Sequence, residues 1–216
     1  MPTNNNVKPT RTWQTGDKTV VLLPFPAANS KEHLKATLGD GLLGGWNRIK
    51  MDEWRKNPKG IKFTDKDVVC ADSANRVDRL QGLKGQRDVL YIRGHCSPGS
   101  GKLTSSDLNK NIDVENLIAL LKEGLSTKFE GIIKIYGCHS GTDGWFHRGF
   151  AQSFADEMWY QGYQKCRFYG YEANLSTFSE VKDLGKYERK AATDDNKKVL
   201  GAASTRRVEI IPSSKF

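Results

Sequence analysis

The chain has no apolar stretch approaching the ~20 residues that a membrane-crossing helix needs, so no helical span is expected. Its first residues, Met1 to Arg11, lack the charged-then-apolar build of a secretory signal. The location expected is therefore cytoplasmic, or outside the cell by a route without an N-terminal signal peptide. Cysteine is scarce: Cys70, Cys96, Cys138 and Cys166 are widely spread, which excludes a dense disulfide framework and reads as reduced thiols. No C-x2-C or H-x3-H spacing occurs, so no metal and no required cofactor are expected. Acidic residues are in the minority, 25 against 34 Lys plus Arg, leaving a formal charge of +9 that favours an acidic partner. Yet the basic residues do not alternate with aromatics along a stripe, so nucleic acid is not the expected partner. The glycine-rich run Ser97-Pro98-Gly99-Ser100-Gly101-Lys102 lacks the spacing of a phosphate-binding loop and reads as an ordinary loop.

What remains is the composition of a globular protein, 37% hydrophobic and 27% charged over 216 residues. That length suits one domain over 17–216, preceded by a polar, mobile or surface-lying arm at 1–16. Two short runs rich in β-branched and aromatic side chains dominate the middle. The first, Val89 to His95, ends in that histidine, and the second, Ile132 to Gly137, runs into Cys138-His139-Ser140-Gly141. Between them, Val114, Leu117, Ile118, Leu121 and Leu125 recur at helical spacing, with Asp113 as N-cap and Gly124 as stop. Strand, helix and strand make a βαβ unit, whose strands should be parallel neighbours that end at one edge of the sheet.

The same logic extends the pattern in both directions. Strands are expected at 18–24, 67–72, 165–170 and 207–212, and helices at 30–39 and 150–162. Cys70 and Cys166 fall in strands as packing residues, and His33, among Lys31, Glu32 and Lys35, reads as solvated. Residues 40–66, with Trp46, Met51 and Trp54 among glycines, read as a flap or as a wall of the substrate cleft. The fold expected is α/β, a three-layer sandwich with a mostly parallel central sheet. Ligands in such sheets bind beyond the carboxyl ends of the strands, where His95 and Cys138 would meet. An imidazole beside a thiol there makes an activated nucleophile, because the imidazole accepts the thiol proton and the thiolate attacks.

On these residues the chain resembles the caspase-like cysteine peptidases, which include caspases, metacaspases, separases and the self-cleaving domains of large bacterial toxins. The likeness covers residues 87–172, and Cys138-His139-Ser140-Gly141 is similar to the Cys-His-Ser-Gly of metacaspases. It implies a hydrolase with a catalytic His95–Cys138 dyad that cleaves protein substrates, its own chain included. It also implies an oxyanion hole made by the N–H groups of Cys138 and of Cys96, which stands where the family usually has glycine. Tyr136 stands where metacaspases carry an acid, so their preference for basic residues is not carried over. The toxin domains are activated by an inositol polyphosphate. A similar small polyanion would meet this chain at its densest basic cluster, a hairpin or flap carrying Lys182, Lys186, Arg189, Lys190, Lys197, Lys198, Arg206 and Arg207.

Other readings compete for the same residues. Asp107 and Asp143, in the two strand-end loops, are candidates for a specificity pocket, and His147 can cap a helix or line the cleft. His95, Cys96, Cys138 and His139 are the residue types that bind zinc, but neighbours in extended chain project to opposite sides. The alternative of another class is a non-catalytic α/β module that binds a polyanion or a protein partner through its basic surface.

Overall fold

The structure, a computed structural model, describes residues 17–38, 67–175 and 191–213. The expected arm at 1–16, the 40–66 flap and the cluster members Lys182, Lys186, Arg189 and Lys190 lie outside the described residues. β1 (Thr19–Leu23) is followed by α1 (Lys31–Leu38), β2 (Val68–Cys70), α2 (Arg76–Gln81) and β3 (Val89–Arg93). A small hairpin, β4 (Lys102–Thr104) and β5 (Asn111–Asp113), then precedes α3 (Val114–Lys122), β6 (Ile132–Tyr136), α4 (Phe150–Tyr160) and β7 (Arg167–Tyr171). The chain closes with β8 (Asn174–Leu175), β9 (Ala191–Thr193), β10 (Val199–Ala202) and β11 (Arg207–Ile210).

The central sheet has six strands in the order β11-β7-β6-β3-β1-β2 and is flanked by helices. Only β11 runs antiparallel, at the edge against β7. The expected α/β architecture and the adjacency of β3 and β6 are both present, with Leu90 paired to Ile133 and Arg93 to Tyr136. β8, β9 and β10 form a separate three-stranded sheet.

Strand order decides which face each helix covers. The steps β2→β3→β6→β7 all advance in one direction across the sheet, whereas β1→β2 goes back, so right-handed crossovers put α2, α3 and α4 on one face and α1 on the other. Burial agrees. Leu80, Leu117, Leu121, Phe154 and Met158 share one cluster with Leu22, Leu90, Ile92, Ile133, Ile135 and Phe168, while Leu34 packs on Val21, Leu23, Val68 and Cys70. Each fully buried Leu, Ile or Phe of the larger cluster stabilises the fold by roughly 2 kcal/mol.

The helix ends have local causes. Asp113 caps α3 by accepting the Asn116 N–H at 2.9 Å, as its position predicts. Gly162, at φ 96°, is the left-handed stop after α4. Gly124 works differently: its φ is not positive, but a Cβ there would lie 2.8 Å from the Val77 carbonyl oxygen, so the glycine lets α3 end against α2.

Candidate active site

His95 and Cys138 each lie two residues beyond a strand end, and those ends, Arg93 and Tyr136, are paired in register. Both therefore leave the sheet at the same edge. Between strand and side chain stand Gly94 and Gly137. A Cβ on Gly137 would come within 2.9 Å of the Gly94 carbonyl oxygen and 3.0 Å of Cys96 Cβ, so glycine keeps the two backbones close as they leave the ladder. Alternation along the strands then sorts the side chains. Leu90 and Ile92 on β3, and Ile133 and Ile135 on β6, enter the helix-side core. Tyr91 and Arg93, then His95, take the opposite parity on β3, as Lys134 and Tyr136, then Cys138, do on β6.

Each residue after Gly137 has a local reason to be where it is. His139 adopts a left-handed φ of 50°, which turns the chain sharply after Cys138, and its N–H donates to the Ala173 carbonyl at 3.1 Å. A non-glycine residue held in that region beside a candidate nucleophile is the kind of strain that clusters at active sites. Ser140 is fully buried. Its Oγ donates to the Ile135 carbonyl at 2.8 Å and accepts the Tyr171 N–H at 3.2 Å, stapling the turn to β6 and β7. Gly141 passes so close to Gly170 and Val208 that a Cβ would come within 2.7 Å of Val208 Cγ2.

The two cysteines differ. Cys96 packs against the helix-side core, and burial pushes its thiol up to about 12, with the nearby Cys138 adding to the rise. Cys138 is half-buried on the other side, where the Leu175 N–H of β8 donates to its Sγ at 3.2 Å. The backbone N–H groups of Cys96 and Cys138 have no acceptor among the described residues, whereas the N–H of His95 donates to Thr104 and that of His139 to Ala173.

His95 stands with its ring 4.6 Å, centroid to centroid, from that of His33, the two planes inclined by 50°. Partial burial and the Arg93 guanidinium lower its pKa, and Glu32 pulls the other way. His33 is not the solvated residue its sequence neighbours imply. It is 5% exposed, and burial, followed by Arg93 and His95, lowers its pKa to about 3. The overlooked signal was positional: a helix that starts just beyond the end of β1 is delivered to the same sheet edge as His95.

The remaining candidates have structural partners. Asp107 accepts hydrogen bonds from Ser105 Oγ at 2.6 Å, Asn29 Nδ2 at 2.8 Å, and both the N–H and Nδ2 of Asn109, each at 3.1 Å. The Ser105 bond, then that from Asn29, hold its carboxyl well below the usual carboxylate range. Asp143 accepts the Gly149 N–H at 2.7 Å and shapes the entry to α4. Among the described residues, no hydrogen bond or ion pair joins either aspartate to His95 or Cys138. His147 lines a shallow surface cleft with Gly99, Gly101 and Phe146. His139 approaches Asp195, Nε2 to Oδ1 at 4.0 Å. Among the described residues no three His, Cys, Asp or Glu side chains converge on one point.

Of the basic cluster, Lys197 and Lys198 lie in and just after the turn after β9, where Asp194 Oδ1 accepts the Lys198 N–H at 2.8 Å. Arg206 directly precedes β11, and Arg207 within it stacks over the Tyr169 ring at 4.8 Å. Among the described residues no helix is long and apolar enough to cross a membrane.

No protein-family model matches the chain, and neither does any curated protein sequence.

Proposed function

We propose that the protein is a cysteine peptidase that cleaves protein substrates through His95 and Cys138. The observation that carries this reading is the register of β3 with β6, which sends an imidazole and a thiol off one sheet edge with the same parity. His95 takes the Sγ proton, and the sulfur attacks the scissile carbonyl carbon. The oxyanion that forms accepts from the N–H groups of Cys138 and Cys96, both without an acceptor among the described residues. Collapse breaks the C–N bond, and the imidazolium returns its proton to the departing amine. Water then hydrolyses the thioester, releasing the acid and restoring the thiol. A substrate carbonyl approaching Sγ must displace the Leu175 N–H, and cleavage of the protein's own chain is the same reaction with an intramolecular substrate.

The test is site-resolved alkylation. Iodoacetamide near neutral pH is expected to label Cys138 ahead of Cys96, whose buried thiol is pushed up to about 12. His95→Ala should slow that labelling, and Cys138→Ala should end peptide-bond cleavage where Cys96→Ala does not. A Cys138 no more reactive than free cysteine, with no cleavage from the folded protein, defeats the proposal and leaves the non-catalytic α/β binding module.

A further inference from the structure

We propose that His33 is a positioning residue for His95, its ring forming the wall that fixes the His95 imidazole at the edge shared with Cys138. This rests on the peptidase reading of the site. A catalytic base is ordinarily oriented by a third group that hydrogen-bonds its far nitrogen. No such bond is made to the His95 imidazole among the described residues, so among them hydrogen bonding does not set its rotamer. What does touch it is His33, at a centroid separation within the range of paired aromatic rings.

His33 is itself held firmly. Ser30, fully buried, anchors the start of α1: its Oγ donates to the Phe25 carbonyl at 3.4 Å and its own carbonyl accepts the Leu34 N–H at 2.8 Å. Leu34, the next residue, packs on Val21 and Leu23 of β1. The helix is thus fixed at both sides of His33, and the ring it presents to His95 is buried. Burial and Arg93 also keep that ring uncharged at neutral pH, so it supports the base without repelling the imidazolium that forms during proton transfer. Among the described residues, the charged groups around the pair include Arg93 on β3 and Glu32 on α1.

The experiment follows the pH dependence of iodoacetamide labelling at Cys138 in the full chain, with melting temperature recorded for each variant. His33→Ala should slow labelling between pH 6 and 7 by about tenfold, the cost of a loosely placed catalytic group, and should shift the midpoint of the profile. His33→Phe, which keeps a ring, should restore both. His33→Leu fills space without a ring face, and it should stay slow even where His33→Ala fails to fold. If His33→Ala and His33→Leu lower the melting temperature but label at the wild-type rate while His95→Ala is slow, His33 is structural only and the peptidase reading stands. Should His95→Ala also label at the wild-type rate, both fall.

Discussion

The two faces of the central sheet are built from alternate residues of the same strands, yet they have little in common. One face presents Leu90, Ile92, Ile133, Ile135 and Phe168 to α2, α3 and α4, in a large cluster of hydrophobic side chains, with Arg76 of α2 buried where it donates to the Leu120 carbonyl of α3. The other has apolar patches of its own, Val21, Leu23 and Val68 at one end and Val89 and Ile132 further along, but between them it presents Tyr91, Arg93, Lys134, Tyr136, Tyr169 and Tyr171. There Arg93 is 3% exposed and stacks on Tyr136 at 5.5 Å, while Lys134 is 4% exposed and donates to the Tyr91 hydroxyl at 3.1 Å. Burying a cation costs desolvation even where a partner offsets it, a cost that an apolar layer does not carry. This is also the face from which His95 and Cys138 emerge. The difference teaches a division of labour: the face under α2, α3 and α4 builds most of the core, and the opposite face is the one to which the proposed chemistry is assigned.

Substitutions on the helix side should therefore cost stability and spare the site. Phe154 on α4 is fully buried, its ring edge against Phe168 at 6.1 Å. Phe154→Ala should lower unfolding free energy by about 4 kcal/mol in a denaturant titration, while Cys138 in the fraction that stays folded alkylates at the wild-type rate. Slowed alkylation in fully folded protein would show that the faces are coupled.

Ser140 crosses the division and gives a smaller effect of both kinds. Ser140→Ala removes the donor to Ile135 and the acceptor for Tyr171, leaving a buried N–H unsatisfied, for a loss of about 2 kcal/mol. Because this staple sets the turn that presents Cys138, alkylation should slow as well. A stability loss with alkylation unchanged would show that the left-handed turn at His139 holds without it.

The helix side was legible in the sequence because its signals are local and periodic. The α3 pattern, its Asp113 cap, Gly162, and the starts of β3 and β6 all rest on neighbours within a few positions, whereas both strands end one or two residues before the expected His95 and Gly137. The second face was not legible for a related reason. Val89 to Arg93 and Ile132 to Tyr136 read as continuous apolar runs, since Tyr is compatible with either side and a single Arg or Lys per strand looks like a boundary. The hairpin of β4 and β5 was missed because each strand is three residues long. Among the site residues, His95, Cys96 and Cys138 could be found by topology, since a βαβ unit fixes where its strands end. The packing of His33 on His95, and of Leu175 on Cys138, joins segments far apart in the chain, and no local pattern encodes either.

The sharpest test of the polar face is its response to acid. His33 is buried beside the Arg93 guanidinium and the His95 imidazole, with Glu32 preceding it on α1, and its pKa falls from 6.5 to about 3. Between those values the unfolded chain binds a proton that the folded protein excludes, so stability rises with pH in this window. The contribution of His33 is complete above about 6.5 and is lost as pH falls from there through about 3. At most about 1.4 kcal/mol is lost per pH unit. His95, whose pKa is also lowered, adds a loss of the same sign. Replacing His33 with Phe removes one titrating group and keeps the ring, so the plot of unfolding free energy against pH should flatten below pH 6 relative to wild type. Phe154→Ala, on the apolar face, should instead displace the wild-type curve downward by the same amount at every pH. Parallel curves for wild type and His33→Phe from pH 7 to pH 4 would mean that His33 takes up its proton in the folded state, and the neutral wall behind His95 would be lost with it.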